Sequence, residues 1–146
     1  MKALFLSLLA LAFAGASIAQ DIPGSQVPAA IVKAFKLKFP RTSKVEWEKK
    51  GNSYEAEFKV DRRDYKAIYD AAGKLQTYKR EIRANELPAA VRNAISSQYK
   101  DYRIDEADRL EKNGKVYYQV ELDGEPHDQK VVFNANGTVA GDVVYW

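Results

Sequence analysis

Apolar residues recur along the chain first at helical and then at alternating spacing, and this succession occurs twice. In 27–39, apolar side chains return every three or four residues, which predicts a helix with one buried stripe. The segments 44–49 and 54–60 then alternate between apolar and charged residues, as strands with one buried and one solvated face do. The helical stripe returns in 87–99 and the alternation in 116–122. The pattern therefore predicts a helix followed by antiparallel strands, twice over.

Short repeated phrases support a duplicated unit. The phrase YDAAGKL at 69–75 is matched by FNANGTV at 133–139, and VPAAIVKAF at 27–35 is matched by LPAAVRNAI at 87–95. The matching phrases come in the same order in each half, which indicates an internal repeat.

The two turn phrases each contain a glycine and a short polar side chain. Gly73 and Gly137 are expected at a positive φ, which a tight antiparallel turn requires and a side chain opposes. The side chains of Asp70 and Asn134 are expected to bond the backbone of the same turn. Both phrases are therefore predicted to be hairpins between the last strands of a unit.

These elements define an α+β fold made of two tandem repeats, about 24–82 and 84–146. Each repeat is expected to hold a helix plus about four antiparallel strands, and both helices should cover one face of the sheet. The last strand pair is expected at 130–133 and 138–146. The joining segment 80–86 lacks the composition of a flexible linker, so the halves should pack together. The other sheet face should remain open.

The first residues have the pattern of a secretory signal peptide. Lys2 precedes a short uncharged apolar run, and small residues lead to Ala19. We expect a signal peptide over 1–19, with cleavage after Ala19 or, as the second choice, after Ala16. A retained membrane anchor is the less favoured alternative, because a membrane span needs about 20 apolar residues.

The chain has no cysteine, which excludes disulfides. The mature single domain, 20–146, is thus expected to be periplasmic or secreted, without a stable membrane anchor.

The segment AFKLKFPRTSKVEWEKKGNSYEAEFKVD at 34–61 resembles the PepSY-like family of beta-lactamase-inhibitor-like exported proteins of Bacteroidetes-type bacteria. The LPAAVRNAI helix, the YYQVEL strand at 117–122 and VVFNANGTV at 131–139 resemble its second half. The resemblance, which covers about 25–146, implies two tandem repeats whose helices back a curved sheet, as in the secreted beta-lactamase inhibitor protein. There the concave face grips a partner protein, and PepSY domains more broadly are proposed to restrain secreted peptidases. The family supplies no catalytic motif.

The candidate catalytic and metal-binding side chains favour no reaction. His127 is the only histidine and lies near Asp123, Glu125 and Asp128, but a solvated loop imidazole is the better interpretation, since no second His or Cys is available. No serine has a nucleophile-elbow motif around it. We therefore expect no enzyme activity, no cofactor and no metal.

Charged residues do not point to catalysis or to nucleic acid. The net charge is +3, with acids and bases interspersed, so a nucleic-acid partner is not expected. Several glutamates fall on outward strand positions, where they are expected to form cross-strand ion pairs on a wet sheet surface. These are Glu46, Glu48, Glu55, Glu57 and Glu121.

Aromatic residues are the remaining candidates for binding. Tyr117 is expected to face away from the core, and Tyr78, Tyr145 and Trp146 are further candidates for the same open face. The alternative is that these rings fill the sheet edge or the seam between the repeats. The leading hypothesis is a non-enzymatic exported module that binds a protein, such as a hydrolase, through its open sheet face. The other hypothesis is a module that binds a small ligand or an envelope polymer, sugar or peptide, with the same rings.

Overall fold

The computed structural model describes residues 19–146 and places them in one antiparallel sheet backed by two helices. The helices are α1 (Ala29–Lys38) and α2 (Ala89–Gln98). The strands are β1 (Gln20–Ile22), β2 (Val45–Lys50), β3 (Ser53–Val60), β4 (Arg63–Asp70), β5 (Leu75–Glu81), β6 (Arg103–Lys112), β7 (Lys115–Asp123) and β8 (Gln129–Asn134). They lie side by side in sequence order. The predicted signal peptide, apart from its last residue, lies outside the described residues.

Both helices begin directly after a proline. Pro28 precedes α1 and Pro88 precedes α2. The missing proline amide costs nothing there, since the first amides of a helix have no intrahelical acceptor. The amide of Phe39 donates the last helical bond of α1, to Phe35, and Pro40 then prevents another turn. Neither helix, nor any other among residues 19–146, is long and apolar enough to cross a membrane.

Each helix covers its own half of the sheet with a separate core. The first core comprises Val27, Ile31, Phe35, Phe39, Trp47, Ala56, Phe58, Ala67 and Tyr69. The second comprises Ile82, Leu87, Val91, Ile95, Ala107, Val120, Leu122, Val131 and Phe133. In the first core the rings of Phe35 and Phe58 meet edge to face, with centroids 4.8 Å apart. The predicted burial of the helical stripes and of one strand face is confirmed.

The repeated turn phrases have matching conformations. Gly73 has φ 89° and Gly137 has φ 87°. The amide of Gly73 donates to the carbonyl of Asp70 at 3.0 Å, and Gly137 donates to Asn134 at the same distance. The Asp70 carboxylate also accepts the amide of Ala72 at 3.0 Å. The two units are therefore built alike, and the predicted fold class is confirmed.

The two units join edge to edge. β5 of the first unit pairs with β6 of the second, so one continuous sheet runs through both. The amide of Ile82 extends this pairing by donating to the carbonyl of Ala107 at 2.9 Å. The expected packing of the halves thus takes the form of a shared sheet.

The end of the chain departs from the predicted last strand. Only Val139 pairs with Phe133, as an isolated bridge, and the expected strand over 138–146 is otherwise wrong. We name residues 140–146 the C-terminal segment. It turns onto the helix-free face of the sheet, because outward-facing apolar side chains of β6, β7 and β8 offer it a surface to bury.

Candidate functional site

The helix-free face of the sheet differs between its two halves. On the first half, outward side chains are almost all charged and form ion pairs between neighbouring strands. Lys59 on β3 lies 2.6 Å from Asp64 on β4, and Lys66 on β4 lies 2.5 Å from Glu57 on β3. These pairs match the cross-strand pairing expected from the sequence. This half is the solvated part of the face.

The second half of this face is covered by the C-terminal segment. Ala140 and Val143 pack on Leu110, Tyr117 and Val132, and all five are buried. Tyr117 thus lies on the predicted side of the sheet, but only 7% of its surface is exposed. Its ring is a packing surface for the chain itself.

Trp146 lies over the seam between the units. Its amide donates to Gln119 Oε1 at 3.1 Å, and its carbonyl accepts Gln119 Nε2 at 2.6 Å and Lys79 Nζ at 2.8 Å. Its indole Nε1 donates to Glu55 Oε2 at 3.2 Å, on the opposite unit. The Lys79 ammonium also lies 5.8 Å from the indole ring. One residue of the second unit is therefore bonded to both halves.

Two carboxylates are buried beneath this residue. Glu55 is 1% exposed, and Lys50 Nζ lies 2.8 Å from its Oε1. Asp108 is 3% exposed, and its Oδ2 accepts Lys79 Nζ at 2.9 Å and Gln119 Nε2 at 2.8 Å. The expectation that the outward glutamates all lie on a wet surface is wrong for Glu55. Both acids are compensated by ammonium groups, as buried charges must be.

A groove remains open on the first half, beside Trp146. It has a volume of about 570 Å³, and outward residues of five successive strands form most of its lining, together with Phe58 and Tyr65 from the helix-covered side. The outward residues include Glu46, Glu57, Lys66, Lys79 and Glu106. Because strands from β2 to β6 line one groove, the open face is concave.

Glu106 carries the unbalanced charge of the groove. Within residues 19–146, no cationic side chain lies within ion-pairing distance of its carboxylate. Partial desolvation of its carboxylate and the nearby Asp108 raise the pKa of Glu106; Lys79 opposes this, and Glu121 and Glu81 add smaller effects in the raising direction. This end of the groove is therefore the acidic end.

The other aromatic candidates lie in two places. Tyr145 belongs to the C-terminal segment; the ammonium of Lys130 lies 5.2 Å from its ring, and burial raises its pKa. Tyr78 lies on the helix-covered face, with its ring centroid 5.9 Å from that of Phe39. The expectation that it lies on the open face is therefore wrong. The physical reason is a register shift between β4 and β5 at Tyr69, which changes the alternation.

His127 lies in an exposed loop between β7 and β8. Its backbone carbonyl accepts the side chain of Gln129. Among the described residues, no three acidic, histidine or cysteine side chains converge in a way that could hold a metal ion.

Gln119 and Lys79 are central residues that the sequence did not single out. Gln119 is fully buried, although it stands on an outward strand position. The available signal was its place between Tyr117 and Glu121 in the alternating pattern. An uncharged polar side chain at such an outward position can form hydrogen bonds with the backbone of a segment that packs on the sheet. No such signal marked Lys79, because the residues that it contacts, on β6 and at Trp146, are far from it in the sequence.

This geometry defines a class of protein in which two tandem units form one sheet, with helices on one face and a concave open face on the other. A family profile described as "Putative beta-lactamase-inhibitor-like, PepSY-like" matches residues 16–77 and again 65–140. The chain belongs to this PepSY-like family.

Solved structures share the fold. A BLIP-like protein from Bacteroides fragilis is 26% identical, with a TM-score of 0.68 over 82% of this chain and 92% of that one. A structure described as "putative periplasmic proteins" from Bacteroides eggerthii is 18% identical, with a TM-score of 0.72 over 78% and 86%. A DUF2874 family protein from Bacteroides uniformis is 20% identical, with a TM-score of 0.71 over 77% and 86%. No functionally curated protein matches the sequence.

Proposed function

We propose that this chain is a non-enzymatic, exported protein-binding module. Its partner, a secreted or periplasmic hydrolase, docks in the concave groove on the first half of the open face. The C-terminal segment shapes this surface by filling the second half and by placing Trp146 at the border.

The observation that carries the proposal is the groove itself. Apart from Glu106, its lysines and acids are already paired, so a partner meets charges held in place and less side-chain freedom is lost on binding. Trp146 lies half-buried beside it, and tryptophan is among the residues that contribute most to protein interfaces.

The same residues argue against catalysis. An acid–base pair needs a carboxylate with an altered proton affinity and access to a substrate. Glu106 meets both conditions, but its neighbour Asp108 is shielded from solvent and bonded to Lys79, so the two do not form an acid–base pair. Glu55 is shielded as well and ion-paired with Lys50, and His127 stands alone in an exposed loop. The inhibitor-like description of the family agrees with a binding role.

Export is part of the proposal. The apolar leader ending at Ala19 supports secretion, and the B. eggerthii structure carries a periplasmic description. A mature protein beginning near Gln20 would place the groove in the same compartment as secreted hydrolases.

Site-specific photocrosslinking tests the proposal. A photoreactive phenylalanine analogue at Glu57, in the groove, is compared with the same analogue at Ser96, exposed on α2. We expect a discrete protein adduct from the groove position only, formed in the periplasm or the culture fluid, and inhibition of the recovered hydrolase by the purified chain. Equal adducts from both positions, or none from the groove, would contradict docking there.

A further inference from the structure

A second cleft lies on the helix-covered side of the sheet, where α1 ends beside the seam between the units. It has a volume of about 420 Å³, within the range of small-molecule sites. Aromatic side chains form its walls, and positively charged side chains form its rim. The residues concerned are Phe39, Tyr65, Tyr78, Lys38, Arg41 and Arg80.

The rings form a preformed apolar wall. The centroid of Phe39 lies 5.9 Å from that of Tyr78 and 6.0 Å from that of Tyr65, and both contacts are edge to face. The hydroxyl of Tyr78 donates to Glu111 Oε2 at 2.9 Å, which holds its ring in place. A flat apolar group can therefore pack here without rearranging the wall.

Positive charge exceeds negative charge in this cleft, because no carboxylate lines it. Arg41 is paired with Asp61 at 3.1 Å on the solvent side. Lys38 lies 5.2 Å from the centre of the Tyr78 ring, and it also offsets the carbonyl end of α1. Arg80 has neither an ion pair nor a side-chain hydrogen bond to any residue in the part of the chain that the structure describes.

Arg80 also faces another arginine. In the pairing of β5 with β6 it stands directly opposite Arg109. Like charges in this position repel each other. Arg109 is compensated by Glu111 at 3.2 Å. Arg80 helps to lower the pKa of Glu86, but that carboxylate is bonded to Arg63 at 2.9 Å. The positive charge of Arg80 is left for a ligand.

We propose that this cleft binds a small organic anion. An oxyanion group pairs with the guanidinium of Arg80, whose fork of donors fits such groups, and Lys38 adds a second positive charge. The apolar body of the ligand packs on Phe39, Tyr65 and Tyr78. The cleft opens on the helix-covered side of the sheet and shares only Tyr65 with the lining of the groove, and this proposal does not depend on the proposed partner docking.

Titration of the ¹⁵N-labelled mature chain with phenylacetate tests the proposal, with the neutral phenylacetamide as the matched ligand. We expect phenylacetate to cause saturable shifts of the Phe39, Tyr78 and Arg80 amides in the millimolar range. Phenylacetamide should bind about tenfold more weakly, because it cannot form the charged bond. Equal affinity for both ligands, or no saturable shift with phenylacetate, would overturn the proposal.

Two variants and a control assign the binding to the cleft. Arg80→Gln should weaken phenylacetate binding about tenfold, while Arg62→Gln, at an exposed hairpin outside the cleft, should leave it unchanged. Lys38→Gln, at an exposed helix end, provides a second measurement that does not depend on Arg80→Gln folding, and it should also weaken binding. Unchanged affinity in either cleft variant would refute the assignment.

Discussion

Gly73 lies directly against the backbone carbonyl of Ala30: a Cβ atom at position 73 would come within 2.9 Å of that oxygen. Gly137 stands in the same relation to Ala90 in the second unit. Each turn phrase therefore closes a hairpin and also packs it under the first turn of the helix of its own unit. A side chain at either glycine is disfavoured for two reasons: the positive φ of the backbone, and the lack of space beside the helix.

These two causes can be measured separately. Gly114 also has a positive φ, 78°, but nothing lies within 4 Å of the space where its Cβ would be. Gly114→Ala should therefore cost about 1–2 kcal/mol of unfolding free energy for φ alone. Gly73→Ala and Gly137→Ala should each cost at least about 1 kcal/mol more, from the clash with the helix. Urea unfolding measures all three, and equal losses would contradict the close contact.

The C-terminal segment should contribute measurably to stability. Trp146→Ala removes a half-buried ring and its hydrogen bond to the buried Glu55 carboxylate, so we expect a loss of about 2–3 kcal/mol in unfolding free energy. Val144→Ala is the matched control, because Val144 in the same segment is 79% exposed and should change stability by less than about 0.5 kcal/mol. Similar losses from both would show that the segment acts without the contacts of Trp146.

Lys79 and Asp108 should show strong coupling. Lys79→Met leaves the buried Asp108 carboxylate without its cation and should cost about 3 kcal/mol. Combining it with Asp108→Asn should restore part of the loss, with a coupling energy of about 1–3 kcal/mol in a double-mutant cycle. The exposed pair of Lys59 and Asp64 is the control and should couple much more weakly, because water and salt screen exposed charges. Equal coupling of the two pairs would argue against a buried ion pair.

Glu106 should make stability depend on pH in a defined direction. Its folded-state pKa is raised by partial desolvation and by Asp108, so the folded protein holds this proton more tightly than the unfolded chain does. The resulting stability is fully present below about pH 4 and is lost as the pH rises through the raised pKa. Glu106→Gln should therefore be more stable than wild type at pH 7, with a smaller difference at pH 4. Glu125→Gln, in an exposed loop, is the control, and a gain that grows at low pH would contradict the sign.

Tyr78 and Trp146 show where reasoning from the sequence stopped. The phase of β5 could not be read through the register shift beside Tyr69, because an irregular pairing moves side chains to the other face without changing the residue pattern. The run ending at Trp146 has apolar residues in succession, so a strand and a segment packed across a sheet were equally compatible with its pattern.

The sequence by itself determined the duplicated units, the helix after each proline, the strand faces of the cores and the two glycine turns. Each of these depends on residues close together in the chain, whose spacing carries the information. Only the tertiary structure decided which part of the open face stays uncovered, where Glu55, Asp108 and Gln119 are buried, and which charges are left without partners. Those outcomes depend on contacts between residues far apart in sequence, such as Trp146 with Glu55, and no local pattern specifies them.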